Sequence, residues 1–186
     1  MFIRWNRQNR SGEVLCQTGV LLLAAAVAIH ALVAHAEPFI PGKPRVSSEM
    51  QTLTGVDRVR VVVSELPEVV ARARVDAARI RHDLERSLMD AGVNVVSDDD
   101  APLLRLSVMA AAKESVDCVG YVMFLSLEQP AHIVRLQKTV SIATWTVANV
   151  QVATREELRV SAFDSVNVVV NDFLRKKRIA TRHEEQ

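Results

Sequence analysis

The sequence predicts an α+β fold, a two-layer sandwich with two helices packed on one face of a mainly antiparallel sheet. Three observations predict it. Strand-like and helix-like segments follow one another in the order β-α-β-β-β-α. Apolar residues recur every three or four positions in two long segments, which is typical of amphipathic helices. Short polar connections separate the last three strands, so consecutive hairpins are the simplest topology.

The first strand and the first helix are predicted from a change in the spacing of apolar residues along the sequence. Residues 56–63 are rich in β-branched side chains and lie between Gly55 and Pro67, and their dense valines predict burial on both faces. Residues 69–91 then follow a helical period, with Gly92 placed to end the helix in a left-handed turn. The expected core stripe of this helix is Ala73, Ala77, Ile80, Leu84, Leu88 and Ala91.

Three long strands are predicted next, at residues 103–112, 119–129 and about 133–147, with turns at 113–115 and 129–131. Residues 93–96 are compatible with a short extra strand before the acidic turn at 97–102. In the second long strand, one face is expected to carry Tyr121, Met123, Leu125 and Leu127. In the third, Val134, Leu136, Val140 and Ile142 are expected to share a face, with Trp145 opposite.

The closing helix has both a start signal and a core stripe. Thr154 and Glu157 have the spacing of a capping box, in which each side chain satisfies an N–H at the helix start. The stripe comprises Leu158, Ala162, Val166, Val169, Val170, Phe173 and Leu174. The basic run Arg175-Lys176-Lys177-Arg178 follows, where cations suit the carboxyl end of a helix.

The amino-terminal residues 1–36 are interpreted as a signal peptide. Arg4, Arg7 and Arg10 precede an apolar run that ends at Ala34-His35-Ala36, a small-residue cleavage site. An uncleaved anchor stays open as an alternative, because the run just reaches the length that a membrane-spanning helix needs. We therefore expect a periplasmic or secreted protein, or one anchored in the inner membrane. The expected organisation is a Pro-rich linker at 37–54, one domain at 55–178 and a polar tail at 179–186.

The residues that remain after cleavage restrict the function. Their acidic and basic side chains nearly balance, so no strong field attracts nucleic acid, which we exclude as a partner. Cys118 is their one cysteine, so no disulfide can form within the chain. It is interpreted either as a small buried hydrophobe or as a thiol that pairs between chains.

No catalytic, cofactor-binding or metal site is predicted. The histidines His82, His132 and His183 lack metal-ligand spacing, and phosphate-binding and nucleophile motifs are absent from the sequence. The run Asp98-Asp99-Asp100 lacks the Gly and the distal Glu of a calcium loop and is interpreted as a solvated turn. Glu156-Glu157 and Glu65 with Glu68 are attributed to helix starts. We therefore expect no cofactor and no enzymatic activity.

Several phrases resemble a family of small, secreted, largely uncharacterised bacterial proteins. They are Val59-Arg60-Val61-Val62-Val63, Leu88-Met89-Asp90-Ala91-Gly92-Val93, Ala143-Thr144-Trp145-Thr146-Val147 and Val168-Val169-Val170-Asn171-Asp172-Phe173-Leu174. The loop that follows the Trp strand in that family is usually glycine-rich, whereas residues 148–153 contain no Gly. The shape also resembles the amino-terminal domain of the Tol-system β-propeller protein, which is an analogy of fold alone.

These observations favour a non-catalytic interaction module of the bacterial envelope, which meets a partner protein through the open sheet face or an edge strand. A carrier of an apolar envelope ligand and a hydrolase with an unrecognised site are the alternatives. Trp145 is interpreted as a cap on the core or as a binding anchor. Membrane contact is expected only through the basic carboxyl-terminal cluster or an uncleaved amino-terminal segment.

Overall fold

The computed structural model describes residues 47–113 and 115–184. The predicted signal peptide, most of the linker and the last two residues lie outside them. The helices are α1 (Ser48–Gln51), α2 (Glu68–Arg72), α3 (Ala77–Asp90) and α4 (Leu158–Glu184). The strands are β1 (Arg58–Val63), β2 (Asn94–Val95), β3 (Leu103–Ala112), β4 (Val119–Ile133) and β5 (Lys138–Ala153), with a 3₁₀ turn at Val134–Leu136.

The five strands form one mixed sheet in the order β2-β1-β3-β4-β5. β1 runs parallel to β2 and β3, while the long β3–β4 and β4–β5 pairs are antiparallel. A parallel neighbour requires a crossover connection, and α2 and α3 lie in the segment between β1 and its parallel neighbours. The predicted α+β fold is therefore confirmed, and the expected meander holds for β3, β4 and β5.

The core lies between one face of the sheet and the helices. Tyr121, Met123, Leu125 and Leu127 are all fully buried, as the alternation in β4 predicts. The buried helical side chains are Ile80, Leu84 and Leu88 from α3, and Leu158, Ala162, Val166, Val169, Val170 and Phe173 from α4. The prediction that β1 is buried on both faces is wrong: Val59 and Val61 are buried, but Val62 is only partly covered.

The predicted helix at 69–91 is two helices. Arg74 takes a left-handed backbone with φ of 58°, and the Asp76 carboxylate then accepts a bond from the Ala78 N–H at 2.9 Å, which starts α3. At the other end the prediction is confirmed, because Gly92 has φ of 80°. Val93 N–H donates to the Leu88 carbonyl at 2.9 Å and Gly92 N–H to Met89, which is a Schellman motif.

The β4–β5 hairpin is longer than predicted. The expected turn at 129–131 is wrong, since these residues pair with β5 and the chain reverses at Val134–Leu136. Pro130 is tolerated because β3 has already ended beside this part of β4, so a missing N–H need not break a ladder. Residues 148–153, expected as a loop, are the end of β5. The predicted apolar face of 134–142 is also wrong, because Val134, Leu136 and Ile142 are exposed.

The ordered domain extends past both predicted boundaries. α1 falls inside the predicted linker, and Leu53 is fully buried in the core. α4 continues through Glu184, and Ala180 is 2% exposed, so most of the predicted tail is helical. Thr154 Oγ1 accepts from the Glu157 N–H at 3.2 Å, as a capping box requires, but the Glu157 carboxylate accepts from the Thr154 hydroxyl instead of the backbone.

Candidate functional site: the edge and open face of the sheet

The three histidines do not come together. His82 lies on the solvent side of α3, where Nε2 is 2.7 Å from Nη2 of Arg86. His132 is near the end of the β4–β5 hairpin, and His183 is in the last turn of α4. Within residues 47–113 and 115–184, no group of three His, Cys, Asp or Glu side chains is arranged to hold a metal ion.

The acidic turn bonds its own backbone and also pairs with β1. Asp98 Oδ1 accepts from the Asp100 N–H at 3.1 Å. Arg58 reaches Asp98 at 3.2 Å, and Arg60 reaches Asp99 at 2.9 Å. These partners are distant in sequence and meet because the chain leaves β2 beside β1. The turn is thus held by two surface ion pairs.

Trp145 belongs to the core. Its side chain is 1% exposed, and its ring lies 5.3 Å from the Phe173 ring, with Lys176 Nζ 5.9 Å from the ring centre. The interpretation as a core cap is therefore confirmed. The indole Nε1 has no hydrogen-bond partner among the described residues.

The basic carboxyl-terminal cluster is largely neutralised by acids of the same domain. Asp172 pairs with both Arg175 and Lys176, and Lys177 pairs with Asp57 at 3.4 Å. Burial alone would raise the pKa of Asp172, but the hydrogen bonds and charges of Arg175 and Lys176 together outweigh it and hold that pKa below its ordinary value. Arg178 and Arg182 remain exposed.

β5 forms one outer edge of the sheet, and α1 covers part of it. The Thr146 N–H donates to the Glu49 carboxylate at 3.3 Å, and the Thr52 hydroxyl donates to the Thr144 carbonyl at 3.2 Å. The bond from Thr146 shows that its N–H points away from β4. Because antiparallel strands alternate, Ala148, Val150 and Val152 direct their backbone groups to the same side.

The stretch of β5 beyond α1 lacks the usual protection of an edge. Residues 141–153 contain no charged side chain and no proline. Lysines, prolines and inward charges are the common devices that prevent an edge strand from pairing with another chain. Glu49 and Thr52 supply such protection only at Thr144 and Thr146, and the segment from Val147 to Ala153 has none among the described residues.

The second face of the sheet carries an apolar strip next to this edge. Helices α2, α3 and α4 contact the sheet from the other side, and the strip follows the alternate residues of three strands. We name it the open-face strip: Met109, Val122, Phe124, Ala148, Val150 and Val152. Met109 is 64% exposed, whereas Val122 is 5% exposed.

An ion pair between β3 and β4 lies on the open face at the end away from the open-face strip. Arg105 Nε lies 2.7 Å from Glu128 Oε1, with a second contact at 3.5 Å. The hydrogen bond to Glu128 raises the pKa of Arg105 above its ordinary value despite partial burial. The open face is therefore divided into a charged end near β1 and an apolar end at β5.

Two clefts lie on the helical side of the domain. One, of about 300 Å³, is lined by charged and apolar side chains that include Glu68, Arg72 and Arg155. The other, of about 330 Å³, lies between α3 and α4 beside Arg79 and Phe163, whose guanidinium and ring are 4.7 Å apart. Ligand sites are mostly apolar with a few polar groups, whereas charged residues line a large part of both clefts.

Comparison with known proteins yields little. The chain matches no protein-family model and no curated protein. Among solved structures, a minor lipoprotein from Acinetobacter baumannii is similar to it at 13% identity and a TM-score of 0.34, over 68% of this chain and 92% of that one. A likeness at this level carries no argument about function. The resemblances to the secreted family and to the Tol-system domain stay predictions.

The sequence indicates an edge strand as a candidate site but does not show which strand lies at the edge. The absence of charge in residues 141–153 was the available signal, but the strand was expected to end at about residue 147. The contacts of Glu49 and Thr52 with β5 join residues more than ninety positions apart and had no local signal.

Proposed function

We propose that the exported chain is a non-catalytic interaction module, which binds an extended segment of a partner protein along the edge of β5. The observation that carries the proposal is the uncharged, proline-free edge from Val147 to Ala153. Strand addition takes its affinity from backbone hydrogen bonds and its specificity from alternate side chains. We infer from the predicted signal peptide that this module acts in the periplasm or outside the cell.

The open-face strip supplies the specificity in this proposal. Ala148, Val150 and Val152 belong both to the edge and to the strip, so an added strand would continue the apolar surface by one row. We therefore expect the partner segment to be extended, with apolar residues at alternate positions on that face. The partially covered stretch at Thr144 and Thr146 would set where the added strand stops.

Site-specific photo-crosslinking in the producing cell tests the proposal. A photoreactive residue at Val150 should give an adduct with another envelope protein, whereas one at Val160, 66% exposed on α4, should give none. Ala148→Pro removes an edge N–H that does not bond β4 and should abolish the adduct. Ala148→Val keeps that N–H and serves as the matched control.

The absence of an adduct at Val150 would contradict the proposal, and so would either of two further results. One is an adduct at Val150 that persists in the Ala148→Pro variant with its yield unchanged. The other is an adduct at twice the mass of the chain, which would assign the edge to a second copy. The carrier and the hydrolase are not proposed, because neither described cleft is an apolar cavity or a convergence of His, Ser and carboxylates.

A further inference from the structure

The β4–β5 hairpin extends beyond the rest of the sheet. β3 stops pairing with β4 at Leu103 and Glu128, but β4 and β5 remain paired from Gln129 and Ile142 to Ile133 and Lys138. We name residues 129–142 the arm. It is a two-stranded ribbon with its tip at Val134–Leu136, and none of its residues is buried.

The arm exposes large apolar side chains. At the tip, Val134 is 71% exposed, Leu136 is 52% exposed and Ile133 is 37% exposed. Ile142, nearer the base, is 44% exposed. Isolated exposed apolar residues are ordinary on a protein surface, but four on one short ribbon mark a contact surface. An isolated ribbon of two strands is also only marginally stable in water.

The charges of the arm all have one sign. Arg135 lies within the tip, between Val134 and Leu136, and Lys138 follows the tip, while residues 129–142 contain no Asp or Glu. Both cations are exposed, and neither belongs to an ion pair within the described residues. The arm differs in this respect from the carboxyl-terminal cluster, where Asp172 and Asp57 already pair with three of the four cations.

We propose that the arm inserts its apolar tip into an anionic lipid surface, with Arg135 and Lys138 at the headgroups. Apolar side chains next to unpaired cations suit the boundary between acyl chains and anionic headgroups. A specific protein interface usually needs about 800 Å² from each partner, which is far more than a three-residue tip offers. This site is separate from the edge segment of the proposed function and does not depend on it.

Vesicle sedimentation with the purified exported chain tests the proposal. The protein should sediment with vesicles of phosphatidylcholine and phosphatidylglycerol, but not with phosphatidylcholine alone, and added salt should weaken binding. Val134→Asp with Leu136→Asp should lower the partition coefficient by at least about tenfold. Arg135→Gln and Lys138→Gln should each lower it about fivefold and reduce its salt dependence.

Two matched controls use equally exposed side chains elsewhere. Val160→Asp with Val168→Asp changes residues that are 66% and 53% exposed on α4 and should leave binding unchanged. Arg178→Gln with Arg182→Gln removes two exposed cations near the end of α4 and should also leave binding unchanged. Loss of binding in this second control would assign the contact to the carboxyl-terminal cluster and overturn the proposal.

A fluorescence measurement reports insertion directly. A Trp introduced by Leu136→Trp should shift its emission to shorter wavelength on phosphatidylglycerol vesicles, whereas Val160→Trp should show no shift. Trp145 is buried and contributes the same emission to both variants. The proposal is overturned if wild-type protein does not bind anionic vesicles, if the arm variants bind as wild type does, or if the Leu136→Trp emission does not move.

Discussion

At the scale of single residues, the domain contains a buried cluster of hydroxyl groups. The Tyr121 hydroxyl lies 2.7 Å from Ser161 Oγ and 2.9 Å from Ser165 Oγ, which joins β4 to α4. Tyr121 and Ser165 are each 1% exposed; the Tyr121 hydroxyl also contacts Ser161, whereas the Ser165 hydroxyl bonds Tyr121. Removing the Tyr121 hydroxyl would therefore leave the buried Ser165 hydroxyl without this hydrogen bond, which costs folding free energy.

Tyr121→Phe should lower the free energy of unfolding by about 1–2 kcal/mol, because it leaves the Ser165 hydroxyl buried without that partner. Urea denaturation measures the change. Tyr121→Phe combined with Ser165→Ala removes both groups and should recover part of the loss. If the single variant unfolded at the same urea concentration as wild type, the cluster would contribute nothing.

Asp172 should make stability depend on acid pH. Its folded pKa lies below the ordinary value, so its contribution is complete above the unfolded pKa near 3.8 and is lost as the pH falls through the folded pKa. At neutral pH, the free energy of unfolding of wild type should exceed that of Asp172→Asn by about 1 kcal/mol. Urea titrations at decreasing pH should show that difference closing in strong acid.

Asp164→Asn is the matched control for this measurement, because Asp164 is an exposed acid of the same helix without an ion pair in the described structure. It should change stability little at any pH. A difference between wild type and Asp172→Asn that persisted unchanged in strong acid would rule out a charge effect at this position.

At the scale of elements, the end of α3 depends on one backbone conformation. Gly92 has φ of 80°, and an added Cβ would meet no atom within 4 Å, so the strain of a substitution comes from the backbone alone. Gly92→Ala should therefore cost about 1 kcal/mol in thermal or urea unfolding. Gly120→Ala is the control, since its Cβ meets only the Ala111 carbonyl at 4.0 Å. Equal losses of stability in the two variants would contradict the role of Gly92 in ending α3.

Periodicity predicts those elements that lie against the core. Ile80, Leu84 and Leu88 are buried at helical spacing, and β3 has the predicted bounds, because burial on one face imposes a period on the sequence. The pattern fails where the chain leaves the core. In the arm, Val134, Leu136 and Ile142 are apolar but exposed, so alternation there does not report burial. The break at Arg74 was missed because Asp76 lies within a continuous helical pattern.

The candidate site is less predictable than the fold. Residues 141–153 show in sequence that the strand lacks charge, but only the strand order shows that it lies at an edge. Strand order results from pairings between distant segments, which leave no local pattern. The parallel pairing of β1 with β3 was missed for the same reason.

At the scale of the whole molecule, the arm should be dispensable for folding. Replacing residues 131–140 by Asn-Gly joins the paired residues Pro130 and Ser141 through a two-residue turn. Since the deleted residues contribute no buried side chain, the free energy of unfolding should change by less than about 1 kcal/mol. A larger loss in urea denaturation would show that the arm supports the core.

Export should remove the first 36 residues. The intact mass of the exported chain should correspond to residues 37–186 if the small-residue site Ala34-His35-Ala36 is cleaved. A mass that retains Met1 would support the uncleaved anchor instead. No helix in the described ranges has both the length and the apolar character to cross a bilayer.

The contacts of α1 with β5 determine how a tethered domain would be presented. Glu49 and Thr52 bond the strand at Thr146 and Thr144, directly beside the base of the arm. Eleven residues, 37–47, lie between the predicted cleavage site and the start of α1, and eleven residues span at most about 40 Å. If the amino terminus stays uncleaved, the membrane anchor therefore connects to the domain beside the base of the arm. The short connection would then keep the arm close to the bilayer that contains the anchor.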